Sequence, residues 1–259
     1  MSKKETPSFL KAFEKDLEKM DGIGTSALPP RYWYSTGNYV LNRIISGSFF
    51  RGIPQGRITD LAGASGAGKS FVAANIVKAA QQAGATVLVI DSENALDNDF
   101  MSKIGVDVHN GRYMYAEVTT ISQVINVVSK FLKGYRAECG EGDDAEQVLI
   151  LIDSLDMLMT DTELANYEKG DQKGDQGQRN KQLKAMLRNF VQDIKTLNVS
   201  MICTSQVYKN QDVTNGEGVW IVSDAVKYAA SQIVLLSKLK LREKQAGTTV
   251  KAITGIDMK

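Results

Sequence analysis

One stretch, residues 57–70, constrains the fold of this chain more than any other. It reads RITDLAGASGAGKS. Residues 58–62 have the apolar content of a short buried strand. They run straight into Gly63, Ala64, Ser65, Gly66, Ala67, Gly68, Lys69 and Ser70, and a helical run from Phe71 to Ala80 follows. Strand, glycine loop and helix in that order are the context of a phosphate-binding P-loop. The glycines let backbone N–H groups turn toward phosphate oxygens with no Cβ in the way. The helix N-terminus adds free N–H groups and the positive end of its dipole. In such a loop Lys69 reaches the β- and γ-phosphates of a nucleotide and the Ser70 hydroxyl ligates magnesium.

The rest of the chain supports an α/β frame around that loop. Thr86-Val87-Leu88-Val89-Ile90 and residues 148–152 are continuous apolar runs, the pattern of parallel strands buried on both faces, and residues 199–204 read as another buried strand. Helical periodicity alternates with them, best in residues 119–133 through Ile121, Val124, Ile125, Val128 and Leu132, and again in residues 179–197. Residues 233–241 and 248–258 read as two antiparallel strands added to the sheet. The prediction is a doubly wound, mainly parallel sheet. Ligands of such sheets sit at the carboxyl ends of the strands. Glu93, Asp153, Gln206 and the glycine loop all fall there, so one site can gather them.

A separate N-terminal piece precedes this core. Thr6 and Pro7 offer a helix start, and Phe9, Leu10, Phe13, Leu17 and Met20 form one apolar face among charged residues. A glycine turn and Pro29-Pro30 then break the chain. Residues 1–34 are read as a helical arm with its linker, and residues 35–259 as the core. Two arrangements suit the arm: packing back on its own core, or docking on a neighbouring subunit.

Composition excludes several function classes. With 259 residues, 43% apolar and 24% charged, the chain can bury a large core. Its single histidine, His109, builds neither a histidine triad nor a zinc cluster. Cys139 and Cys203 stand far apart and read as reduced thiols of a cytoplasmic protein. The sequence contains no signal peptide pattern and no run long enough to span a membrane. A net charge of +1 gives no global field for a polyanion, so nucleic-acid contacts must be local.

Those strand ends carry the groups that phosphoryl transfer to water needs. Asp153, after four apolar residues, has the setting of a Walker B aspartate holding the magnesium shell. Glu93 can orient the attacking water or accept its proton. Gln206 can sense the γ-phosphate and shift when it leaves. Two polar stretches follow directly after the Asp153 and Gln206 strands, residues 161–178 and 209–218. Lys169, Lys173, Arg179 and Lys181 stand in or beside the first; Lys209 stands in the second, with Lys227 after it. These cations suit phosphodiesters, and the plainer alternative is two solvated loops.

Together these segments resemble the RecA family of recombination ATPases. The resemblance is carried by STGNYVLNRIISG with GIPQGRITDLAGASGAGKS, by VLVIDSENALDNDFMSKIGVD, by VLILIDSLDML, by MICTSQV and by SDAVKYAAS, five motifs in the family's order. It implies a DNA-dependent ATPase that uses ATP and Mg2+, with Glu93 catalytic, Gln206 sensing the nucleotide, and Asp97 and Phe100 on the adenine side. It implies binding of single-stranded DNA and of homologous duplex DNA through the two polar loops. It also implies helical filaments joined through the N-terminal arm, and it is looser elsewhere in the manner of phage recombinases of the UvsX kind. The family continues past the segment where Lys259 stands, so the resemblance implies a C-terminally truncated core. Two rival readings stay open: a hexameric RecA-like helicase, and an ATP-binding recombination regulator that does not turn over.

Overall fold

A computed structural model describes residues 7–20, 29–140, 142, 144–171, 177–209, 220–245 and 248–258; at 209, 220, 221 and from 239 onward only the backbone is described. The chain divides into two compact units, Met1–Arg31 and Tyr32–Lys259. In the first, α1 (Ser8–Lys19) starts after Pro7, which stands at the cap position and not inside the helix; Thr6 lies outside the described residues. None of its residues is buried, and Phe9, Leu10, Phe13 and Met20 are exposed.

The second unit begins earlier than residue 35. Trp33–Tyr34 (β1) leads to α2 (Tyr39–Ser46) and pairs antiparallel with Ile53–Pro54 (β2). Tyr34 is fully buried, and the Tyr32 hydroxyl donates to the Asn198 carbonyl at 2.5 Å. Aromatic bulk beside Pro29-Pro30 thus belongs to the core, and the linker ends before it. Asn38 caps α2 through a side-chain bond to Leu41 N–H, the local signal that starts that helix.

The main sheet is then laid down by β3 (Ile58–Gly63), α3 (Lys69–Gln82), β4 (Thr86–Asp91), α4 (Asn98–Ile104), β5 (Tyr113–Glu117), α5 (Ile121–Glu138) and β6 (Val148–Asp153). A 3-10 turn at Leu155–Met157 follows, then α6 (Asp161–Glu168), α7 (Gln178–Ile194) and β7 (Val199–Ser205). The short pair β8 (Tyr208–Lys209) and β9 (Trp220–Ile221), α8 (Asp224–Ala229), β10 (Gln232–Gln245) and β11 (Thr248–Met258) complete the chain. Strand order is β11-β10-β3-β7-β6-β4-β5, with six parallel strands and β11 antiparallel at one edge. This is the doubly wound α/β sheet that the apolar runs predict.

Period-two alternation sorts each strand between two cores. Leu61, Val87, Val89, Leu149, Leu151 and Ile202 face α3 and α4. Ile58, Leu88, Ile90, Ile150, Ile152 and Met201 face α5, α7 and α8. Burying each such aliphatic side chain is worth roughly 1.5–3 kcal/mol. Ala73, Ala74 and Ala80 bring α3 close to the sheet, so its N-terminus is held firmly beneath the glycine loop.

One stretch departs from its reading as structureless. Residues 161–168 form α6, begun by a reciprocal capping box in which the Thr160 side chain accepts from Glu163 N–H and Glu163 accepts from Thr160 N–H. Its helix face carries few apolar residues, so hydrophobic periodicity does not reveal it. Of that stretch, residues 172–176 lie outside the described residues.

Candidate functional site

β3 delivers Gly63 to the carboxyl edge of the sheet, where the loop turns into α3. A Cβ at Gly63 would sit 2.7 Å from the Leu236 carbonyl oxygen of the adjacent β10, so this position admits only glycine. Gly68 caps α3 with φ +91°, a left-handed conformation that a side chain would strain. Ala64, Ser65 and Gly66 lie toward solvent and Ala67 is buried. Lys69 is only 8% exposed; its Nζ donates to the Gly63 carbonyl at 2.9 Å and the Ala64 carbonyl at 3.3 Å. The ammonium therefore lies folded across the inside of the loop. Ser70 is half-buried and Phe71 is exposed at the first turn of α3.

Beside the loop, β6 ends at Asp153, which is almost fully buried. Its Oδ1 accepts from the Thr204 hydroxyl of β7, and its buried Oδ2 accepts no hydrogen bond from the described residues. Burial raises the Asp153 pKa; the Thr204 and Ser70 hydroxyls oppose this, and Glu93 and Asp91 add to it. An orphaned, buried carboxylate oxygen next to a loop-end hydroxyl is a setting that a divalent cation and its waters would satisfy. Among the described residues no cluster of three histidine, cysteine or carboxylate side chains could hold a metal by itself. Magnesium fits here with a phosphate ligand, since it binds through few protein groups and keeps its waters.

β4 ends at the fully buried Asp91, which shapes the segment after it. Asp91 Oδ1 accepts from Glu93 N–H at 2.9 Å, and Oδ2 from Leu96 N–H at 2.9 Å and the Tyr115 hydroxyl at 3.1 Å. Glu93 is exposed, and its Oε1 accepts from the Ser154 hydroxyl. Ser92 Oγ in turn donates to the Ser154 carbonyl at 2.7 Å. The ends of β4 and β6 are thus laced together, with Glu93 held by Ser154 at one oxygen and without a hydrogen bond at the other among the described residues. Asp97 caps α4 by accepting from Phe100 N–H at 2.8 Å, and Phe100 packs half-buried on the α3-side core.

Gln206 follows the last residue of β7. Its N–H donates to Asp156 Oδ2 at 2.5 Å, and the Tyr208 hydroxyl donates to Asp156 Oδ1 at 2.6 Å. Arg179, one of the candidate DNA contacts, is engaged here through Nε and Nη2. Its guanidinium donates to the carbonyls of Leu155 at 2.9 Å, Asp156 at 2.6 Å and Leu158 at 2.7 Å, because unpaired carbonyls of the 3-10 turn face the first turn of α7. It is a clamp on that turn. Asp156 therefore joins the start of α7, the Gln206 backbone and the entry to β8.

The other described cations stand on different elements. Lys169 caps the end of α6 and is exposed, as is Lys181 on α7. Lys227 is exposed and pairs with Asp224 at 3.3 Å. Lys173 lies outside the described residues, and of Lys209 only the backbone is described, paired with Trp220. A cleft of about 760 Å³ lined by Gly84, Arg112, Glu138, Cys139 and Glu146 opens at the amino ends of β4 and β6, away from all these groups.

Residue-type reasoning passed over Asp91, Ser154, Asp156, Thr204 and Asp60. The signal for Asp91, Ser154, Asp156 and Thr204 is a short polar residue at or near a strand end, which is too common to single out, and Asp60 is a lone carboxylate inside an apolar strand. Asp60, in the middle of β3, is fully buried; Oδ2 accepts from the Ser205 hydroxyl at 2.7 Å and Oδ1 has no partner among the described residues. Burial pushes its pKa from 3.8 up to about 7, with Asp156 adding and Ser205 and Lys69 opposing. Between these two values the folded chain holds a proton that the unfolded chain has lost. Stability contributed by the neutral carboxyl is present in full below pH 3.8 and is lost as pH rises through about 7. Asp60→Asn removes this loss, so the melting temperature of the variant minus that of wild type is expected to grow by several degrees from pH 5 to pH 8. Parallel melting curves across that range would show that Asp60 does not titrate there.

No helix among the described residues is long and apolar enough to cross a membrane. Residues 23–254 match the family described as RecA N-terminal domain. Among curated relatives, the chain is 26% identical over 231 residues to the DNA repair protein recA homolog 3, mitochondrial, of Arabidopsis thaliana, covering 83% of this chain and 47% of that protein. It is 28% identical over 241 residues to Protein RecA of Sulfurimonas denitrificans, covering 89% of this chain and 63% of the relative. To Protein RecA of Nautilia profundicola it is 27% identical over 255 residues, covering 94% and 63% respectively. The chain thus spans about half to just under two thirds of the length of these relatives. With the glycine loop, the parallel sheet and the family match over most of its length in agreement, the chain belongs to the RecA N-terminal domain family.

Proposed function

We propose that this chain is the ATP-hydrolysing core of a recombinase that binds single-stranded DNA, assembles into helical filaments and promotes pairing with homologous duplex DNA and strand exchange. The observation that carries the reading is the juxtaposition at one sheet edge of the Lys69 loop, the Ser70–Asp153 pair with its orphaned Oδ2, and Glu93 held by Ser154. In this reading the loop N–H groups and Lys69 cradle the phosphates, and Ser70 and Asp153 hold Mg2+. Bound there, magnesium supplies charge neutralisation on the β- and γ-oxygens. Glu93 orients a water and takes its proton at the oxygen not used by Ser154. The water oxygen bonds to the γ-phosphorus, the bond from that phosphorus to the β,γ-bridging oxygen breaks, and ADP and phosphate leave. Asp97 and Phe100 flank the adenine side.

Gln206 reports the γ-phosphate to the second loop. The Asp156 bonds to Gln206 N–H and Tyr208 support that role, since a shift at Gln206 must be felt at β8 and, through Arg179, at α7. Lys169, Lys173, Arg179, Lys181, Lys209 and Lys227 are the DNA-contacting cations in this reading; Arg179 engages Nε and Nη2 on carbonyls, which leaves Nη1 for a phosphate. The exposed apolar face of α1 supports polymerisation on a neighbouring subunit. A phage-type recombinase working in the cytoplasm is the finer form of the proposal.

The test is ATP turnover with and without single-stranded DNA, combined with a salt titration of DNA affinity. Lys173→Ala and Lys209→Ala are expected to weaken DNA binding without regard to sequence. Each should flatten the log–log salt slope by about 0.7 and leave ATP binding without DNA unchanged. Wild-type affinity and slope in both variants would remove the loops as the DNA site. Closed rings in electron micrographs would favour the helicase reading, and absence of turnover the regulator.

A further inference from the structure

The nucleotide loop has a neighbour that the family motifs do not mark. β10 runs parallel to β3 with Leu236 opposite Gly63, so β10 continues where β3 gives way to the loop. Val234 and Leu236 point into the α3-side core. Lys238 is the next residue on that face, and beyond the end of β3 the face looks onto the loop. A methyl group built on Gly66 would sit 3.0 Å from Lys238 Nζ and 3.5 Å from its Cε. Lys238 is exposed, and no ion pair among the described residues includes it.

Two ammonium groups therefore meet one short loop from different sides. Lys69 comes from the helix and lies inside on the Gly63 and Ala64 carbonyls, while Lys238 comes from β10 and lies outside at Gly66. Residues 64–68 contain no acid to neutralise either. Two cations at one loop suit an anion of several charges. The glycine at 66 matters to this arrangement, since any larger residue would push the ammonium away.

We propose that Lys238 is a second phosphate-binding cation of this site, supplied in cis by β10 and acting on the terminal phosphates of a nucleoside triphosphate. This rests on the nucleotide reading given above. A lysine acts as a movable point charge on a flexible stem, and the short reach from Gly66 to a bound phosphate lies within its range.

The experiment is equilibrium binding of ATP and of ADP, each with magnesium, to wild type, Lys238→Ala, Lys238→Arg and Lys69→Ala. Binding is measured first with protein dilute enough to be monomeric and then at concentrations where it assembles, and the melting temperature of each nucleotide-free protein is recorded. Lys238→Ala is expected to weaken ATP about tenfold and ADP about threefold or less, Lys238→Arg to recover ATP affinity to within about threefold, and melting temperatures to stay unchanged. ATP affinity of Lys238→Ala within twofold of wild type would overturn the proposal. So would a loss in Lys238→Ala accompanied by a lower melting temperature and no recovery with arginine, which marks a prop for the loop. A loss seen only at concentrations where the protein assembles would place the contact on a neighbour and overturn the cis assignment. If Lys69→Ala keeps wild-type ATP affinity, the nucleotide reading itself fails; if Lys69→Ala loses it while Lys238→Ala does not, only this inference fails.

Discussion

Replacing Lys69 by alanine is expected to abolish tight ATP binding and ATP hydrolysis while leaving the fold in place. The loop backbone is set by Gly63 against β10 and by Gly68 at the start of α3, as well as by the two carbonyl bonds of Lys69. What Lys69 adds is a charge. Its ammonium is nearly buried and bonded to two carbonyls, so it stands ready to swing a short distance onto the β- and γ-oxygens. A charge-assisted bond in such a site is roughly twice as strong as a neutral one, and in the transition state the charge on those oxygens grows. ATP affinity should fall by about a hundredfold or more, with circular dichroism unchanged. Turnover at the wild-type rate in the variant would sink the nucleotide assignment.

Glu93→Gln gives the second large effect, and of a different kind. Glutamine still accepts from Ser154 at its carbonyl oxygen, and the Asp91 bond to the residue-93 N–H is untouched. Geometry is preserved while the proton acceptor is lost. ATP affinity should stay within about threefold of wild type while kcat falls by roughly a hundredfold or more, about 2.7 kcal/mol of transition-state stabilisation. Rapid-quench measurement of a single turnover would separate this from slow product release. A variant that hydrolyses normally but binds ATP weakly would assign Glu93 a structural part in closing the β4 edge.

Much of this molecule can be read from residue order alone. Apolar runs such as residues 148–152 have one favourable fate, a strand buried on both faces, because neither face offers water a polar side chain. A glycine loop between such a strand and a helix is local geometry, so Gly63, Lys69 and Ser70 could be located without the fold. The family match and the six parallel strands agree with the α/β fold read from those runs. Element boundaries were less legible. α6 is held by its capping box more than by an apolar stripe, and Tyr32 to Tyr34 join the core through pairing with residues far along the chain.

Tertiary structure decided which polar groups meet. Nothing in the order of residues says that Ser154 holds Glu93, that Asp156 ties Gln206 to Tyr208, or that Arg179 faces three carbonyls instead of solvent. Those contacts join positions from 21 to 61 residues apart, and one-dimensional spacing carries no record of them. Lys238 is the extreme case. It comes after the recognised motifs and reaches the loop only because β10 returns to pair with β3. Backbone preference and apolar period are properties of neighbours in sequence, and so the residues alone determined the strands, the loop and its lysine. Polar partnership at the sheet edge is a property of strand order, which the buried apolar faces select when the whole chain packs.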